Sequence, residues 1–127
     1  MGIKITRDDD QNLTIHDVTG PVTEEEMHDV LENFYKREPT ALLLWDMSQA
    51  DVSHITTDIL QKFVKKSAEL GASRQGDRIA VIASEDLQYG LARMSEAIVN
   101  IVSAPYIFAI FRTRQEALTW LKQSDLS

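Results

Sequence analysis

The chain has 127 residues, enough for one domain whose core needs no metal or disulfide staple. Its net charge of -7 argues against sequence-independent nucleic-acid binding and against an anionic membrane surface, both of which need a basic footprint. The lack of cysteine excludes thiolate catalysis, disulfides and thiolate zinc sites, and it fits a reducing compartment.

Ile3-Lys4-Ile5-Thr6-Arg7 and Leu13-Thr14-Ile15-His16 alternate apolar and polar residues, the period of half-buried strands, with Ile3 and Ile5 expected in the core. Between them Asp8-Asp9-Asp10-Gln11-Asn12 carries turn chemistry and predicts a hairpin with an acidic, solvated tip. Val18-Thr19-Gly20-Pro21 closes the second strand. Thr23-Glu24-Glu25-Glu26 reads as a capping box that opens a helix, and the acids suit its positive end. Met27, Val30, Leu31, Phe34 and Tyr35 follow as one core-facing stripe, and Glu38-Pro39 ends the helix.

Ala41-Leu42-Leu43-Leu44-Trp45 is continuously apolar, the mark of a central strand covered on both faces. A second helix is predicted from about Thr56 to Leu70, with Ile59, Leu60, Phe63 and Val64 inward, Lys62, Lys65 and Lys66 outward, and Gly71 as its stop. Arg78-Ile79-Ala80-Val81-Ile82-Ala83 is the next buried strand. Ser84 then caps a third helix with an expected core stripe of Leu87, Leu91, Met94, Ile98 and Ile101. Tyr89, Arg93, Glu96 and Asn100 form a polar stripe beside it.

Gly90 costs that helix about 1 kcal/mol against alanine. The expected reason is a close approach, either to the sheet and second helix or to a cleft or subunit contact with Tyr89 and Arg93 at its lip. Tyr106-Ile107-Phe108-Ala109-Ile110-Phe111 is the last strand. Thr113-Arg114-Gln115-Glu116 is a second capping box, opening a short helix through Ala117, Leu118 and Leu121. The order is β-β-α-β-α-β-α-β-α, a single α/β domain over residues 1–127 with one mixed, mainly parallel five-stranded sheet.

Ligands of open parallel sheets sit beyond the carboxyl ends of the strands. Those ends carry Asp46, Ser48, Asp51, Ser53 and His54, then Ser84, Glu85 and Asp86, then Arg112 and Thr113. With Thr56, Thr57, Tyr89 and Arg93, this rim is the candidate partner or ligand surface; singly, its Asp and Ser residues also serve as caps and turn formers. Asp46, Ser84 and Arg112 end three successive strands, as the Asp, hydroxyl residue and cation of a response-regulator receiver do. That site also needs paired acids after a strand leading into a helix, whereas Asp8-Asp9-Asp10 joins a hairpin, and the planar fork of Arg does not replace a Lys point charge. The receiver reading is rejected.

His16, His28 and His54 fall on a strand, a helix and a loop without metal-ligand spacing, and no Gly-x-Ser-x-Gly elbow marks a serine nucleophile. Phosphate-cradling glycine patterns are absent, and Glu85 and Asp86 repel an anion from the third helix start. No enzyme, cofactor or metal is expected. No apolar run approaches the about 20 residues of a membrane span, and the first residues lack a signal peptide's apolar stretch, so a cytoplasmic protein is expected.

"VTGPVTEEEMHDVL", "LLLWDMSQADVS", "DRIAVIASEDLQYGLARMSEAI" and "AIFRTRQEALTWL" together resemble the SpoIIAA-like superfamily, the STAS domains of anti-sigma-factor antagonists and the bacterial Sec14-like proteins grouped with them. The resemblance spans nearly the whole chain. It implies a non-catalytic regulatory or sensing module acting through protein–protein interaction or, alternatively, a carrier or sensor of an apolar, lipid-like ligand. Trp45, Met94, Tyr106 and Phe108 are the candidate lining for such a ligand. The antagonists carry an Asp-Ser-Ser-Gly segment with a phosphorylated serine where this chain has His54-Ile55-Thr56-Thr57-Asp58. Thr56 and Thr57 are therefore the candidate phosphoacceptors, against their reading as helix caps. The family's sequential strand order places most helices on one sheet face. The doubly apolar strands then need a displaced helix, a second subunit or an apolar ligand on the other, and a homo-oligomer, most simply a dimer, is expected.

Overall fold

A computed structural model describes residues 2–37, 39–73 and 76–123. Its elements in chain order are β1 (Gly2–Asp8), β2 (Leu13–Pro21), α1 (Glu24–Lys36), β3 (Leu42–Asp51), α2 (Thr57–Leu70), β4 (Arg78–Ile82), α3 (Asp86–Ile101), β5 (Ile107–Phe111) and α4 (Arg114–Leu121). The strands lie side by side in sequence order, β1 antiparallel to β2 and the rest parallel. The expected α/β order and single mixed sheet are thus the observed ones.

Local chemistry sets the element ends. Asp8 accepts from the backbone and side chain of Gln11 at 3.2 and 2.8 Å, and Asn12 takes the left-handed φ of 55° that asparagine tolerates, which closes the hairpin. The Thr23 hydroxyl accepts from the Glu26 amide at 3.1 Å while the Glu26 carboxylate accepts from the Thr23 amide at 3.1 Å, the predicted capping box. Thr56 and Thr113 cap α2 and α4, each cap contributing about 1 kcal/mol. Of the expected stop at Glu38-Pro39, Glu38 lies outside the described residues; α1 ends at Lys36. Gly71 ends α2 for a packing reason, because a Cβ there would stand 3.1 Å from the Tyr35 hydroxyl.

Successive strand residues feed opposite apolar layers. Leu43, Trp45 and Ile79 pack with Met27 and Phe34 of α1, Leu60 and Val64 of α2, and Ile98 and Val99 of α3. Leu13, Leu44, Ala80 and Ile82 instead pack with Ala117 and Leu121 of α4. Of the three covers expected for the second face, the displaced helix is therefore the one present. Because β2 is covered on both sides, Thr14 and His16 are buried along with Leu13, contrary to the half-buried reading, and the Thr14 and Thr40 hydroxyls bond at 2.8 Å. The edge strand β1 shows the reverse: Ile3 packs against the core, but Ile5 is 46% exposed.

Strand β3 runs six residues past Trp45, to Asp51, because β2 continues beside it. Thr19, Gly20 and Pro21 pair with Gln49, Ala50 and Asp51 beyond a bulge between Asp17 and Thr19. No helix among the described residues is long and apolar enough to cross a membrane.

Candidate functional site

The predicted rim divides into small groupings. Asp46, Ser48 and Asp51 lie on the extension of β3 rather than in a loop. The Asp46 carboxylate accepts from the Ser48 hydroxyl at 2.6 Å and from its amide at 3.0 Å. Arg114, at the start of α4, donates from one Nη1 to both Asp46 and Asp17 at 2.8 Å. Asp17 raises the Arg114 pKa further above its ordinary value, so the guanidinium stays charged. The cation beside Asp46 is thus Arg114. Arg112 instead donates to the Ser84 carbonyl at 3.1 Å, lies 3.7 Å from Asp86 and stacks 3.9 Å from the centroid of the Tyr89 ring.

The loop after β3 is held by its own polar groups. Ser53 bonds Asp51 through its amide at 3.0 Å, and its hydroxyl and amide hold the Asp51 carboxyl below the usual carboxylate range. His54 bonds the Val22 carbonyl through Nε2. Thr56 accepts from the Ile59 amide at 3.2 Å as the cap of α2, and Thr57 is that helix's exposed first residue. Arg93 pairs within α3 with Glu96 at 3.4 Å.

Helix α3 is rotated from the expected orientation. Its inward residues are Gln88, Leu91, Ala92, Ser95, Ile98 and Val99, whereas Leu87, Met94 and Ile101 are 56%, 36% and 80% exposed. Gln88 turns the helix: its Oε1 accepts from the Ser84 and Glu85 amides at 3.1 Å, and its Nε2 donates to the carbonyls of Ala50 at 3.0 Å and Ser48 at 3.4 Å. The cap is therefore Glu85, one residue after Ser84. Ala92 and Ser95 lie on this inward face, and Ser95 bonds the Leu91 carbonyl at 3.1 Å. Gly90 is exposed, and a Cβ there would meet nothing within 4 Å, so no close approach among the described residues explains it. The rotation leaves an outward apolar stripe of Leu87, Met94 and Ile101, with Gly90 and Ala97 between them. Sequence reasoning assigned its large members to the core.

Beneath α2 and α3 lies a cavity of about 100 Å³. Trp45, Phe63, Leu91, Val99, Tyr106 and Phe108 are among its walls. Three of the four residues expected to line a ligand pocket do so; Met94 points outward, as the rotation of α3 requires. Ser67 donates to the Val64 carbonyl at 3.0 Å, which leaves the Tyr106 hydroxyl to donate to Ser67 at 2.5 Å. Burial pushes the Tyr106 pKa up and keeps the phenol protonated. Further along the same helical face of the sheet, His16 is 1% exposed, 4.4 Å from the Trp45 ring centroid and 6.0 Å from that of Phe34. Its Nδ1 has no hydrogen-bond partner among the described residues, and burial lowers its pKa from 6.5 to about 4, so it is neutral.

No family model matches the chain, and no curated protein matches it.

Proposed function

We propose that this protein is a non-catalytic regulatory or sensing module of the STAS, SpoIIAA-like kind, which works in the cytoplasm through protein–protein contacts made by the outward face of α3. The exposed stripe of Leu87, Met94 and Ile101 carries this reading, because exposed apolar side chains in one contiguous row mark an interaction surface. Tyr89 and Arg93 lie on the polar flank of the same helix. Gln88 ties the first turn of α3 to β3, whose last residue is Asp51 and which leads into the loop of Ser53, His54 and Thr56 and the start of α2 at Thr57. That loop is the adjoining part of the contact face, and Thr56 and Thr57 act there as cap and first helical residue rather than as phosphoacceptors.

Photocrosslinking in cells that make the protein tests this. A photoreactive residue at Leu87 or Ile101 is expected to form protein adducts, and one at the exposed Lys62 of α2 is not. The adducts should vanish when Met94 is replaced by Asp on the same chain. An absence of adducts from both α3 positions would overturn the reading.

The cavity favours a second reading, a carrier or sensor of an apolar ligand. Its 100 Å³ is below the about 150 Å³ that admits a benzene-sized guest. A lipid-like molecule therefore needs the cavity to widen. Native mass spectrometry of purified protein separates the two readings: a retained mass of a few hundred daltons supports the carrier, and bare chain mass supports the interaction module.

A further inference from the structure

Among the described residues nothing requires Gly90: it lies inside α3, outside the left-handed φ region, with open space where its Cβ would be. Its place becomes meaningful in the outward row Leu87, Gly90, Met94, Ala97, Ile101, spaced alternately three and four residues apart. Large residues recur at every seventh position and small ones fall between them, the pattern of the two seam positions of a heptad. α3 packs beside α2 and over β5, the last strand of the sheet, so it is the outermost helix of its layer.

The geometry points to a second copy of this chain as the occupant of this seam, with the two α3 helices packed antiparallel; this deepens the interaction-module reading and rests on it. In a parallel pair each seam residue faces itself, so Gly90 would meet Gly90 and Ile101 would meet Ile101, alternating voids with crowding. In an antiparallel pair the large positions face the small ones, and two registers achieve this. One sets Leu87 over Ala97 and Met94 over Gly90, but it leaves Ile101 bare and brings Arg93 beside Arg93 of the second copy. The other sets Ile101 over Gly90 and Met94 over Ala97, and it leaves Leu87 past the end of the facing helix. It buries the most exposed large side chain of the row and brings Arg93 beside Asn100 of the second copy, a guanidinium donor against an amide acceptor.

Shape and charge select the same register. Two copies of net charge -7 repel at long range, yet the residue set opposite Arg93 across this seam is the neutral Asn100. One helical seam covers on the order of 400 Å² per partner, about half of the roughly 800 Å² of a standard interface. The dimer is therefore weak and concentration-dependent.

The absence of native cysteine makes disulfide trapping clean. Met94→Cys protein mixed with Ala97→Cys protein is expected to cross-link several-fold faster than either variant links to itself, and Gly90→Cys with Ile101→Cys likewise. Sedimentation equilibrium of the unmodified chain should show mass rising from 14.4 kDa toward twice that value as concentration reaches the millimolar range. Ala97→Glu and Ile101→Asp alter exposed positions, so near-ultraviolet circular dichroism should be unchanged while the mass increase is lost. A chain that stays monomeric at millimolar concentration, or faster linking of Met94→Cys to itself, overturns the proposal. Photocrosslinks from α3 that reach only other proteins overturn self-association and leave the interaction reading standing; no crosslinks at all overturn both.

Discussion

The Gln88 side chain donates to the Ala50 carbonyl at 3.0 Å, joining the first turn of α3 to the extended end of β3. With its oxygen accepting from two backbone amides, this amide has its main hydrogen-bonding groups occupied in a buried setting. That makes a polar residue an acceptable anchor for the inner face of the helix and leaves Leu87 outside.

Gln88→Leu removes those partners and puts an apolar residue of similar size in their place. The Ala50 carbonyl and the two amides lose their bonds, so a stability loss of about 1–3 kcal/mol is expected. Urea unfolding followed by tryptophan fluorescence measures it; an unchanged midpoint would mean that packing alone sets the rotation of α3.

Gly90→Ala should behave oppositely. The position is helical and open, so alanine is expected to stabilise the dilute monomer by about 1 kcal/mol. Thermal unfolding at low micromolar concentration tests this, and a lower midpoint would reveal a close neighbour of Gly90.

His16 makes the fold acid-sensitive in a defined window. The folded state binds its proton only near pH 4, the unfolded chain already near 6.5. The unfolded state therefore holds more protons between those values, and stability must fall as pH drops through them. The whole effect is about 3 kcal/mol, present in full above pH 6.5 and lost by about pH 4. His16→Leu should flatten the unfolding free energy over that window relative to the natural chain; parallel curves for the two proteins would refute the assignment.

Arg114→Ala deprives Asp46, whose side chain is largely buried, and the more exposed Asp17 of their shared cation. A loss of about 1–3 kcal/mol is expected, most of it from Asp46 because solvent screens the Asp17 contact. Since a single nitrogen makes both bonds, Arg114→Lys should recover part of the loss. Chemical unfolding of the three proteins in low and high salt gives the comparison.

Much of the fold was legible because it is written in short-range chemistry. The Thr23–Glu26 box, the Thr56 and Thr113 caps and the turn at Asp8–Asn12 need only neighbours three or four residues away, and they place the element boundaries. The double-sided burial of Leu43 and Leu44 likewise follows from an unbroken apolar run. The length of β3 did not follow, because Asp46 to Asp51 are polar or mixed and are held in a strand by ladder bonds from β2. The cation for Asp46 comes from Arg114, 68 residues on, a pairing that no local spacing reveals.

The sequence by itself determined the order and type of the elements and therefore the sheet, since propensity, capping and periodicity act within a few residues. Only the tertiary structure decided which face of α3 turns inward. That helix has two overlapping apolar stripes sharing Leu91 and Ile98, and helical periodicity fits both equally. The choice was made by the Gln88 bond to β3 and by the burial of Ala92, Ile98 and Val99, and it left Leu87, Met94 and Ile101 outside.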